Sequence, residues 1–124
     1  MKDVLVVDDS LIQRTQISEI VSDCGYTPIM ASDGLEGLNL ASANDKSLAL
    51  IICDFNMPIM DGLTMCTKIR DIPSLKSVPI FMLTSEASRE YRGLAVSLKI
   101  SAWIIKPLDP DMLKVAIKEV LSAG

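Results

Sequence analysis

Histidine is absent from the 124 residues. That removes the commonest transition-metal ligand and the usual general base at neutral pH. Cysteine is scarce: Cys24, Cys53 and Cys66 are odd in number and widely spaced, with no Cys-x-x-Cys pair. The pattern argues against a disulfide framework or a zinc site, and each cysteine reads as a small buried hydrophobe. Long apolar runs are missing too. Apolar residues make up 49% of the chain, yet its longest run, Leu48 to Cys53, falls far short of the about 20 residues that span a bilayer. A secretory leader does not fit, because the first apolar stretch stops at Asp8 and Asp9. These absences point to a cytoplasmic protein without membrane insertion. Positive charge is also in deficit: a net charge of −4 disfavours nucleic acid, whose backbone is bound through Lys and Arg.

What is present is a regular alternation. Five short apolar runs, Val4–Val7, Thr27–Ala31, Leu48–Cys53, Pro79–Leu83 and Ala102–Ile105, alternate with five helical patterns. The first, third and fourth runs are apolar almost throughout, as expected of strands covered on both faces. Ile17, Ile20, Val21 and Cys24 recur at helical spacing, as do Leu94, Ala95 and Leu98, and the pairs Met112/Leu113, Ala116/Ile117 and Val120/Leu121. Ser10 with Gln13 forms a capping-box pattern, and Asp33 with Glu36 a looser acidic one. Asp109-Pro110 supplies a cap and a first-turn proline. Gly25 ends the first helix and Pro73 bounds the third. No repeat or linker divides the chain, so residues 1–124 read as one domain. Its end just after the fifth helix leads us to expect no attached effector domain. Strict alternation predicts a doubly wound α/β domain, a five-stranded parallel sheet with five helices on its two faces.

In such sheets ligands bind beyond the carboxyl ends of the strands. Asp8 and Asp9 follow the first run, Asp54 the third, Thr84 the fourth and Lys106 the fifth. Four separate segments thus bring three carboxylates, a hydroxyl and an ammonium to one edge. Taken singly, each has a plain structural reading: helix capping for Asp8, Asp9 and Thr84, an ordinary loop position for Asp54, a solvated side chain for Lys106. Their joint placement outweighs those readings. Crowded carboxylates repel unless a cation intervenes, and Lys106 offsets only one charge. A hard divalent cation with oxygen ligands suits the remainder, which makes Mg²⁺ or Mn²⁺ the expected ion. A metal, a lysine and a hydroxyl in one pocket also suit a phosphoryl group. One carboxylate is then the nucleophile, and Asp54 is the best candidate, coming from a fully apolar central strand.

Asp8-Asp9, Asp54 with Met57-Pro58 and Asp61-Gly62 behind it, Thr84-Ser85 and Lys106-Pro107 together resemble the receiver domains of two-component response regulators. The resemblance covers essentially the whole chain. It implies a flavodoxin-like sheet of strand order 2-1-3-4-5, with Asp54 as phosphoacceptor. Asp9, Asp54 and the backbone carbonyl of Asn56 are then expected to bind the metal, with Asp8 acting through water. Thr84 and Lys106 would hold phosphoryl oxygens, and Lys106-Pro107 would be a cis peptide. The implied donor is a sensor histidine kinase or a histidine phosphotransfer protein. Output is expected through a protein target on the face of the fourth helix, fifth strand and fifth helix. Trp103 stands where the family commonly carries Tyr or Phe that changes rotamer on activation, and the usual glycine-containing turn before it reads Lys99-Ile100-Ser101-Ala102.

Asn56 and Glu86, two residues beyond Asp54 and Thr84, are similar to the stand-alone chemotaxis regulators that bind the flagellar motor switch. In the family these positions control water access and phosphate lifetime, so rapid self-dephosphorylation is expected. Two other readings stay open. One is an intermediate or phosphate sink in a phosphorelay outside chemotaxis. The other is a small Mg²⁺-dependent aspartyl-phosphate phosphatase, disfavoured because the acceptor segment reads Asp54-Phe55-Asn56 rather than Asp-x-Asp. Met57 belongs to the family motif, and the other methionines read as core filler.

Overall fold

The structure, a computed structural model, describes residues 2–85 and 92–122. Five parallel strands form one sheet in the order β2-β1-β3-β4-β5: β1 Asp3–Val7, β2 Thr27–Ala31, β3 Leu48–Asp54, β4 Ile80–Thr84 and β5 Ala102–Ile105. The helices are α1 Leu11–Asp23, α2 Gly34–Ala43, α3 Gly62–Arg70, α4 Arg92–Ser97 and α5 Pro110–Ser122, with a 3₁₀ turn at Pro73–Leu75. This is the doubly wound, flavodoxin-like arrangement that strand–helix alternation requires when every crossover is right-handed. The side chains of Leu94 and Ala95, expected on the inner face of the fourth helix, lie outside the described residues.

Because side chains alternate along a strand, the sheet divides the core in two. Leu5, Val7, Ile51, Cys53, Ile80 and Met82 face Met65, Cys66 and Ile69 of α3. Val4, Val6, Leu50, Ile52, Phe81 and Leu83 face Ile17, Ile20 and Val21 of α1 and Leu113 and Ile117 of α5. Two packed faces explain why β1, β3 and β4 read as continuous apolar runs. Cys53 and Cys66 are buried as expected, but Cys24 is only half-buried. Met30 and Met112 are exposed rather than core filler: Met30 lies on the edge strand β2 beside α1, and Met112 lies in the first turn of α5.

The caps form with one difference. Ser10 Oγ accepts from the Gln13 N–H at 3.3 Å, but the reciprocal half of the box is missing because the Ser10 N–H donates to Asp8 Oδ1 at 2.9 Å. Asp33 Oδ1 accepts from Glu36 N–H, while Glu36 Oε1 reaches past it to Ser32 N–H. Asp61 Oδ1 caps α3 through Thr64 N–H, and Asp109 Oδ1 accepts from Asp111 N–H at the start of α5. Gly25, at φ +90°, lets Tyr26 N–H turn back to Val21 O and close α1. The Lys106–Pro107 peptide is cis. In the altered turn before β5, Lys99 takes the left-handed backbone (φ +57°) that glycine adopts without cost.

Candidate functional site

Strand register assembles the site. Val7 pairs with Cys53 and Asp54 with Leu83, so the residues leaving β1, β3 and β4 lie side by side. Thr84 pairs with Ile105, and the Lys106 N–H donates to Thr84 O at 2.8 Å. Both Asp54 and Thr84 are the last residues of their strands rather than the first of the loops. Their backbones are thereby fixed by the sheet. The turn after Asp54 is equally tight: Phe55 N–H donates to Leu83 O, and Gly62 N–H to Phe55 O. A Cβ on Gly62 would collide with the Asp54 carbonyl, so only glycine lets α3 begin so close to the strand end.

Asp8, Asp9 and Asp54 offer carboxylate oxygens that all lie within 4.8 Å of one another. Asp8 and Asp54 are buried, while Asp9 is exposed at the mouth. Lys106 Nζ donates to Asp54 Oδ2 at 2.9 Å, and Asn56 N–H donates to Asp54 Oδ1 at 3.3 Å. Arg14 Nη1 donates to the Asp8 carbonyl oxygen at 2.7 Å, which tethers α1 to the strand end. Asp8 Oδ2 is different. It is buried and has no hydrogen-bond partner among the described residues. Burial pushes the Asp8 carboxyl above its ordinary value, and the charges of Asp54 and Asp9 add to that. The Ser10 amide and Lys106 oppose it. An orphaned buried oxygen among three carboxylates and one ammonium is a donor set that fits a hard divalent cation.

Thr84 is buried at the end of β4, and Asn56 is exposed beside the acidic cluster. Glu86 lies outside the described residues. Trp103 is half-buried on β5, one strand beyond Thr84. Its ring packs against Phe55 at a centroid distance of 6.0 Å and a tilt of 45°, and its Nε1 is sealed from water without a partner among the described residues. The sequence reading therefore located Asp8, Asp9, Asp54, Thr84 and Lys106 at one edge. It missed Arg14, the Ser10 amide and Phe55, whose parts depend on contacts that no spacing announces. On the α5 side of Trp103, an open groove of about 360 Å³ is lined by Ile104, Ile105, Pro107, Met112 and Ala116.

Comparison with known proteins agrees with this geometry. A family model described as "Response regulator receiver domain" matches residues 4–118. The chemotaxis protein CheY1 of Helicobacter pylori is 35% identical over 98% of this chain and 98% of its own length. The crystallized chemotaxis protein CheY4 of Vibrio cholerae superimposes with a TM-score of 0.89 at 36% identity, covering 98% of this chain and 99% of that one. A CheX–CheY–BeF3–Mg²⁺ complex from Borrelia burgdorferi superimposes with a TM-score of 0.88 at 25% identity, covering 96% and 88% of the two chains.

Proposed function

The chain belongs to the response regulator receiver domain family, and on that premise we propose that it is a phosphorylation switch whose acceptor is Asp54. One observation carries the choice. Of the three clustered carboxylates, Asp54 alone is both buried at the end of a central strand and paired with Lys106 at 2.9 Å. A carboxylate Oδ of Asp54 attacks phosphorus, the P–N bond of a partner's phosphohistidine breaks, and the leaving imidazole takes a proton from solvent. Lys106, released from the carboxylate, holds a phosphoryl oxygen, and the Thr84 hydroxyl donates to another. Asp9, Asp54, the Asn56 carbonyl and, through water, Asp8 would hold Mg²⁺. That ion supplies positive charge against the phosphoryl oxygens when bound. Membership of the family points to a sensor histidine kinase or a histidine phosphotransfer protein as donor; the phosphohistidine has to lie on that partner, since this chain has no histidine, and we place the protein in the cytoplasm.

Drawing Thr84 toward a phosphoryl group alters the packing beside Trp103. The β5–α5 surface next to it exposes Ile105, Met112 and Val115, which suits a protein target, and the likeness to chemotaxis regulators favours motility control. Shifting a switch from 1:99 to 99:1 takes about 5.5 kcal/mol. Three charge-assisted hydrogen bonds of about 2 kcal/mol each are enough. The test is phosphorylation by a small-molecule donor such as acetyl phosphate with Mg²⁺, read by intact mass. One phosphoryl group per chain, absent from Asp54→Asn, supports the assignment. Labelling that survives Asp54→Asn sinks it, and sustained release of phosphate from small esters would instead favour a phosphatase.

A further inference from the structure

Beneath the acidic edge, between β3, β4 and α3, the sulfur of Cys53 touches two others. Cys53 Sγ lies 3.7 Å from Cys66 Sγ and 3.5 Å from Met82 Sδ, and all three residues are fully buried. Cys53 and Met82 are register partners on adjacent strands, and Cys66 faces them from the buried side of α3. Both cysteines are free thiols. Room for the thioether depends on Gly62, because a Cβ there would stand 3.0 Å from Met82 Sδ. Aliphatic side chains including Val7, Ile51 and Ile69 belong to the same cluster.

Thiolates and thioethers are soft donors that select soft cations. Three sulfurs arranged about one metal at about 2.3 Å stand about 4.0 Å apart, so the contacts of 3.7 and 3.5 Å made by Cys53 need open by only a few tenths of an ångström to admit an ion. We propose that Cys53, Cys66 and Met82 form a buried three-sulfur site for a soft monovalent cation, Cu(I). Structural zinc sites use four ligands, whereas this cluster supplies three and one of them is a thioether. Both thiols release their protons to solvent as the ion enters. The bound ion ties β3, β4 and α3 together directly under Asp54. The oxygen-lined site above and the sulfur site below select different cations by ligand softness alone.

The test uses the full chain carrying Cys24→Ser, which removes the half-buried third thiol. Cu(I) is titrated without oxygen against a coloured chelator. One ion per chain is expected, with ultraviolet thiolate-to-copper absorption that excess Mg²⁺ does not displace. Cys66→Ala should weaken binding by more than the about 100-fold that loss of an outer-shell partner costs. Met82→Leu preserves core volume and should weaken it at least about tenfold, the lower end of that range. If Cys66→Ala does not fold, Met82→Leu decides. Absence of Cu(I) binding, its displacement by Mg²⁺, or unchanged affinity in Met82→Leu overturns the three-sulfur site.

Discussion

Asp8→Asn removes one negative charge from a cluster whose carboxylate oxygens lie within 4.8 Å of each other, and does so where one of its own oxygens has no partner. Two like charges at that separation repel by about 3.5 kcal/mol at an effective dielectric near 20. Asp8 meets two such neighbours, Asp9 and Asp54, and Lys106 opposes part of the repulsion. Asparagine keeps an oxygen for the Ser10 amide. The net gain for the metal-free variant should be about 1–3 kcal/mol, or about 4–12 °C in Tm for a domain of this length. Saturating Mg²⁺ should erode or reverse that difference. Wild type gains about 2.7 kcal/mol at a hundredfold excess over Kd, and the variant gains much less. The pH dependence has a defined sign. The folded-state pKa of Asp8 is raised above its ordinary 3.8, so the folded chain takes this proton before the unfolded chain does. The penalty is therefore present at neutral pH and is relieved as pH falls through the raised value toward 3.8. The Tm gap between variant and wild type should narrow over that window. Thermal melts with and without Mg²⁺ at several pH values decide it. A metal-free variant that melts below wild type at neutral pH, or an equal Mg²⁺ shift in both proteins, refutes the reasoning.

Ile59, 78% exposed in the β3–α3 loop, adopts φ +69°, and a β-branched residue in the left-handed region costs about 1–2 kcal/mol. Ile59→Asn should raise stability by about 0.5–1 kcal/mol in urea unfolding, and a lower midpoint would contradict the strain. Arg70 ties the end of α3 to three carbonyls, donating to Leu98 O and Leu75 O at 2.8 Å and Lys99 O at 3.1 Å. Arg70→Ala should lower stability by about 2–3 kcal/mol, given about 1.5–3 for each buried charged hydrogen bond and less for exposed ones. A change under half a kilocalorie would show the clasp to be incidental. Lys106→Met removes the ammonium paired with Asp54 and should slow phosphorylation by acetyl phosphate about 10²–10³-fold, the usual loss for one charge-stabilising donor. Stopped-flow fluorescence of Trp103, the single tryptophan, measures it, and a near-normal rate would remove Lys106 from the reaction. The same fluorescence should respond to beryllofluoride with Mg²⁺ in wild type and stay flat in Asp54→Asn. A response retained in that variant would separate Trp103 from the acceptor.

Much of this was legible in the residues because the dominant signals are local or periodic. Five apolar runs divided by helical patterns admit few topologies, and polar residues directly after four of those runs must emerge at one edge of a parallel sheet. Asp8, Asp9, Asp54, Thr84 and Lys106 follow from that placement, while Gly25 and the caps at Asp33 and Asp109 follow from local helix-end signals. The apolar runs stop one residue before the carboxyl ends of β3 and β4, since Asp54 and Thr84 look like loop residues until neighbouring strands bond to their backbones. Partner choice was beyond reach. Nothing in the spacing says that Lys106 selects Asp54, that Asp8 keeps an oxygen unpaired, that Trp103 leans on Phe55, or that Cys53, Cys66 and Met82 converge. Those outcomes depend on distances of a few ångströms between residues far apart in the chain. Such distances are fixed only once strand register and helix seating are settled together. Sequence alone determined which chemical groups reach the edge of the sheet; tertiary packing decided which of them touch, because contact is set by side-chain geometry across elements and not by order along one.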